Sequence, residues 1–149
     1  MEENKELVRE FIEAMAADDK AHVLRLMSDD CEWVVVPWGY SANGHEEVEA
    51  FLGVANKTRT YKEQGQKIDM NKAFTDGENL CVEITNIASL SFLPSLKASQ
   101  PICLVLHMRD RKFDSVHEYF NAPFPVSLII RLVPLVTRIR LSARRRSKR

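Results

Sequence analysis

Along the first part of the chain apolar residues recur at helical spacing, and along the second part they alternate. Over Glu3 to Ala17, Leu7, Phe11 and Met15 stand four apart with Val8 and Ile12 beside them, one apolar stripe that predicts a helix. Asp18 and Asp19 punctuate it and suit the start of a second helix, Lys20 to Met27, with Val23, Leu24 and Met27 on one side. Cys31 to Pro37, rich in Val and Trp, predicts a strand, and residues 38–44 a loop. His45 to Thr58 predicts a third helix with Val48, Phe51, Leu52 and Ala55 inward.

Strands dominate after that. Gln64 to Phe74, Asn79 to Ser89, Pro101 to Arg109 and Lys112 to Asn121 are strand-like. An Asp76-Gly77 turn, a loop over 91–100 carrying Pro94, and a tight turn at Asp110-Arg111 separate them. Helices first and an antiparallel meander after give an α+β class, with helices covering one face of the sheet.

Composition bounds this picture loosely. At 149 residues and 45% apolar, the chain fits one domain with a proper core. Charge divides it further. From Ala122 to Arg149 there are eight basic residues and no acid; residues 1–121 hold 13 Lys and Arg against 21 Asp and Glu, a balance of −8. An acidic domain, 1–121, is therefore followed by an apolar and then basic tail, 122–149. Cys31, Cys81 and Cys103 are odd in number and lack paired spacing, which fits free buried thiols in a reducing compartment. The polar, acidic start is not a secretory signal, and no apolar run is long enough to span a bilayer. A cytoplasmic protein is expected, peripheral on a membrane if the tail binds one.

Four segments carry a resemblance. They are the helix pair around Ala17-Asp18-Asp19; Leu26-Met27-Ser28-Asp29-Asp30-Cys31-Glu32-Trp33; Gly44-His45-Glu46-Glu47-Val48-Glu49-Ala50-Phe51-Leu52; and Val116-His117-Glu118-Tyr119-Phe120-Asn121. In this order and spacing the chain resembles the SnoaL-like branch of the nuclear-transport-factor-2-like superfamily over residues 3 to 121. The resemblance implies a cone: a curved antiparallel sheet wrapped round an apolar pocket and closed by helices. It also implies a homodimer through the sheet and a carboxylate on the closing strand, here Glu118. Members include polyketide cyclases, limonene-epoxide hydrolases, ketosteroid isomerases and non-catalytic binding domains, so fold does not fix function. The epoxide-hydrolase pattern places Trp33, Val35, Ile84 and Asn86 where that subgroup has Tyr, Asn, Arg and Asp, and only Glu118 keeps an acid. The ketosteroid-isomerase pattern meets Val36, Phe11 and Leu104 in place of its base and two oxyanion donors.

Glu118 alternates with Val116 and Phe120 on one strand face. On a concave face it points into an apolar pocket, where burial suits it to proton transfer near neutral pH. The plainer reading puts it at the pocket mouth or pairs it with a base such as Arg109. Asn86 shares a face with Val82 and Ile84 and is the candidate positioning group. Trp33, Val35, Tyr40, Ile84, Val116 and His107 are candidate lining residues, the aromatics being equally consistent with plain core. His117, next to Glu118, faces the opposite way and forms no dyad with it. No metal or cofactor is expected, since zinc, phosphate-loop and Ser-His-Asp patterns are absent from the sequence. The expected partner is a small hydrophobic molecule, and the reaction, if any, an isomerisation, cyclisation or epoxide hydrolysis.

Beyond Pro123-Phe124-Pro125 the tail carries an amphipathic pattern, with Ser127, Arg131, Arg138, Ser142 and Arg145 near one face and a kink expected at Pro134. Three fates fit it: an anionic membrane surface over 126–149, packing on the domain or a second subunit, or nucleic acid. The last is weakest, because no aromatics interleave with the arginines.

Overall fold

The computed structural model describes residues 2–58, 61–68, 72–90, 93–121 and 133–147, with side chains over 3–54, 72–85, 101–121, 135–142 and 144–146. Helix α1, Glu2–Ala16, buries Val8, Phe11 and Ile12. Asp18 turns the chain at φ 55°, and Asp19 caps α2, Lys20–Leu26, by accepting the His22 amide at 2.9 Å. His22 and Glu10 join the two helices at 2.6 Å.

Strand β1 is Met27–Val35, longer than the sequence pattern suggests. Ser28-Asp29-Asp30 looks like a helix stop but forms the start of this strand. The carboxylate of Asp30 is held there by Arg109, whose Nη2 donates to both of its oxygens, at 2.8 and 2.7 Å. A 3-10 turn over Val36–Trp38 ends on left-handed Gly39, φ 56°. The expected loop that follows contains a short strand, β2, Tyr40–Asn43, which pairs antiparallel with β1. Helix α3, Gly44–Thr58, starts where the Glu47 carboxylate reaches back to accept the Asn43 amide at 3.0 Å.

The rest of the sheet is β3, Tyr61–Ile68; β4, Phe74–Thr75; β5, Asn79–Leu90; β6, Leu93–Arg109; and β7, Lys112–Phe120. Asp110 and Arg111, both left-handed at φ 52° and 62°, form the tight β6–β7 turn. Six strands follow the order β2-β1-β7-β6-β5-β3, with β4 pairing β5 at the side. The sheet is curved and open, the architecture is α+β, and one pairing departs from the expected antiparallel pattern: β1 runs parallel to β7. That pair can be parallel because nearly the whole chain serves as its crossover. The expected loop over 91–100 is largely strand, since β6 begins at Leu93 and pairs with β5.

Alternation along β6 sets the two faces. Ile102, Leu104, Leu106 and Met108 are buried, whereas Val105 and Arg109 are exposed and Cys103 and His107 half-buried. The core lies between the inward row and α1–α3, with Phe11, Trp33, Phe51 and Phe113 as its largest members.

Helix α4, Val133–Ser147, packs on α3. Pro134 sits in its first turn, where the missing N–H leaves no intrahelical bond unmade, and the stretch before Val133 on which the expected kink depends lies outside the described residues. Ser127 and Arg131 of the expected amphipathic face lie outside the described residues.

Candidate functional site

Strand β7 places Glu118 on the inward face. It stands in register with Leu104 of β6 and Val35 of β1, two fully buried residues. Two positions earlier on β7, Val116 pairs with Leu106 and Trp33. The Trp33 indole Nε1 donates to the Glu118 Oε2 at 3.3 Å. An indole N–H is a donor only, so a Trp that is 2% exposed must find an acceptor. Glu118, half-buried, supplies it. Trp33 is wedged between Phe11 and Phe51, with ring centres 5.9 and 6.0 Å away. Beyond Glu118 on β7, Phe120 meets Trp38 edge-on at 5.1 Å. The result is a carboxylate flanked by aromatic and aliphatic side chains. Such a group can accept a hydrogen bond from a ligand or exchange a proton with it.

The other candidates separate into those near Glu118 and those elsewhere. Val35 and Val116 are 0% exposed and adjoin it through the β1–β7 register. Ile84, 1% exposed, lies on the next inward row, in register with Ile102, which pairs with Phe120. The backbone of Asn86 pairs with Gln66 and Gln100; its side chain lies outside the described residues.

His107 is not brought to Glu118. It shares the outer row with Cys103 and Val105, and its ring is tied to Asp114 through Nδ1. Arg109 is not brought to Glu118 either: its Nη2 is on Asp30 and its Nε faces Asp114. The Asp30 bond holds the Asp30 carboxyl below its usual range and the guanidinium above its own. Tyr40 is buried, but it packs on Phe51 at 5.4 Å, and its phenol feels the Thr137 hydroxyl of α4, which acts to lower its pKa. Burial pushes its phenol up from the ordinary value. Its polar tip therefore belongs to the tail contact. His117 stands in register with Val34 and the exposed Val105, one residue out of phase with Glu118.

Two contacts escape sequence reasoning. The Trp33–Glu118 bond joins residues 85 apart and follows from the parallel β1–β7 register. Cys81 and Cys103 lie on neighbouring strands with sulfurs 3.4 Å apart, a proximity their spacing does not reveal. Burial, reinforced by the Cys81 thiol, pushes Cys103 up to about 11, and burial does the same to Cys31. Among the described residues no group of three metal-type side chains converges. Among them too, no helix is long and apolar enough to cross a membrane.

No protein-family model matches the sequence, and no curated protein matches it. Solved structures do. A nuclear-transport-factor-2-like protein of unknown function from Burkholderia pseudomallei superposes with a TM-score of 0.69 at 23% identity, covering 89% of this chain and 98% of that one. A protein with a ketosteroid-isomerase-like fold from Catenulispora acidiphila, in complex with trimethylamine, gives 0.64 at 19% identity, covering 78% and 85%. TerC co-crystallised with polyporic acid gives 0.65 at 18% identity, covering 87% and 97%. The chain thus has the nuclear-transport-factor-2-like, ketosteroid-isomerase-like fold, as its sequence segments imply.

Proposed function

We propose that this chain binds a small apolar molecule against the inward face of its sheet, and that Glu118 is the group that hydrogen-bonds it or moves its proton. The observation that carries this reading is the Trp33–Glu118 contact: a half-buried carboxylate aimed by a buried indole, with Val35, Val116 and Leu104 around it. Apolar walls with one oriented polar group are the usual composition of a small-molecule site. A cofactor-independent isomerase or cyclase needs a carboxylate that can take a proton from one position and return it at another. Epoxide hydrolysis fits less well, because it needs a base for water and an acid for the leaving oxygen, and Val35, Leu104 and Ile84 are neither.

The same observation favours a second reading, binding without turnover. Val35 and Leu104, the register partners of Glu118, have no proton to give, and the indole donates a hydrogen bond that holds it. The ligands of the superposed proteins, an amine in one and polyporic acid in another, do not select a substrate class for this one.

Native mass spectrometry of freshly purified full-length protein, beside Glu118→Gln, tests the proposal. A stoichiometric small apolar molecule on the native protein, weakened or lost in the variant, is the expected result. Retention by Glu118→Gln of a ligand that wild type converts and the variant does not would favour catalysis over carriage. A ligand held equally and converted equally by both would remove Glu118 from the account.

A further inference from the structure

Helix α4 is docked on the domain through one side. Among its described side chains Thr137, 0% exposed, and Leu141, 7% exposed, are buried, and Arg144 and Arg145 pair with Glu49 and Glu47 of α3 at 3.5 and 3.4 Å. At about 100° per residue, Leu135 and Ile139 fall on the opposite side, one turn apart. They are among the most exposed large apolar residues described, at 56% and 58%. Exposed Arg138 and Arg140 flank them. Beside them, between α3 and α4, is a hollow of about 380 Å³ lined by Arg138, Arg145, Arg146, Ser142, Leu141 and Glu47. The Ser142 hydroxyl donates to the Ile139 carbonyl, and Glu47 is the acid in this basic lining.

The geometry points to this outward side of α4 as a docking surface for an anionic phospholipid bilayer, with Leu135 and Ile139 entering the headgroup layer. Arg138, Arg145 and Arg146 receive a lipid phosphate in the hollow. Charge selects this occupant: residues 122–149 hold eight basic residues and no acid, ending in Arg144-Arg145-Arg146-Ser147-Lys148-Arg149. A purely electrostatic contact would not need two large apolar side chains at its centre, whereas an interfacial helix does. The helix can make this contact while docked, because Thr137 and Leu141 face the other way. The membrane would then hold the domain at its surface, with the α4 side toward the lipid.

The test is co-sedimentation of the full-length protein with vesicles of phosphatidylcholine containing about 30% phosphatidylserine. Wild type is expected to sediment with these vesicles and to stay in solution with phosphatidylcholine alone. Raising the salt severalfold should lower the bound fraction by about tenfold, because charge attraction is screened. Leu135→Glu/Ile139→Glu should abolish sedimentation with circular dichroism and Tm unchanged, since both side chains are already exposed. Arg138→Ala/Arg146→Ala should weaken it by about thirtyfold. Equal sedimentation of the Glu double variant, or none by wild type, would overturn the proposal. So would a wild-type dimer in sedimentation equilibrium that the Glu double variant loses, since a second copy would then cover this side.

Discussion

Trp33 and Tyr40 are alike in almost every local respect. They lie on adjacent strands, both are at most 5% exposed, and both pack on Phe51. Each carries one polar atom that burial obliges it to satisfy. Trp33 finds Glu118 on the closing strand; Tyr40 finds Thr137 on the tail helix. The first partner is a charged group on the inward face of the sheet. The second is a neutral hydroxyl, itself fully buried, that fastens one element to another. Burial and aromatic packing alone do not separate the two residues. The chemistry of the partner does.

The largest way to break the comparison is Trp33→Ala. It removes the ring that packs against Phe11 and Phe51 and costs about 3–5 kcal/mol of stability, measured by urea unfolding. Tyr40→Phe is milder. It keeps the ring, leaves the Thr137 hydroxyl without that partner and costs about 1–2 kcal/mol. It should also loosen α4, seen as faster tryptic cleavage at Arg138 and Arg140 with the rest of the domain intact. Thr137→Val added to Tyr40→Phe should cost less than the sum of the two single changes, by about 0.5–1.5 kcal/mol. Full additivity would mean that the hydroxyls do not support each other.

The thiols sharpen the contrast between burial and reactivity. Cys31 and Cys103 are both pushed up to about 11, so their thiolate forms are scarce at neutral pH. Their alkylation by iodoacetamide in the folded protein should be slow at pH 8 and should rise with pH. Rapid labelling of Cys103 at pH 8 would contradict the assignment.

The smallest effect belongs to the exposed Asp30–Arg109 pair. Asp30 is held below its ordinary value chiefly by the Arg109 bond, so its contribution is present above that ordinary value. The contribution fades as pH falls through the lowered one. Asp30→Asn should therefore lower Tm slightly at neutral pH, and the gap to wild type should close in acid. A gap that widens in acid would reverse the sign.

Much of the fold is legible from periodicity, as in α1, where Val8, Phe11 and Ile12 form one buried stripe. The parts that are not legible depend on partners far along the chain. Tyr40-Ser41-Ala42-Asn43 has the composition of a loop and is a strand only because β1 lies beside it. Leu93 to Gln100, with a proline, a lysine and two serines, is a strand because β5 pairs with it. For the site, Glu118 and Trp33 each stand out as candidates. Their bond does not, since it requires the parallel register of the first and last strands. His107 falls on the outer row for a related reason: strand phase decides the face, and a one-residue offset sends a side chain to the other side of the sheet. The polar tip of Tyr40 meets the tail, a contact no local pattern shows.

The most direct test of the Trp33–Glu118 pair uses the two tryptophans of the chain. Trp38→Phe leaves Trp33 as the sole emitter. Its fluorescence, followed across the acid range at which the protein stays folded, should show a step as the neighbouring carboxylate gains a proton. The step should be missing in Trp38→Phe/Glu118→Gln. Superposable curves from the two proteins would show that the indole does not sense Glu118, and the account of a carboxylate aimed by a buried ring would fail.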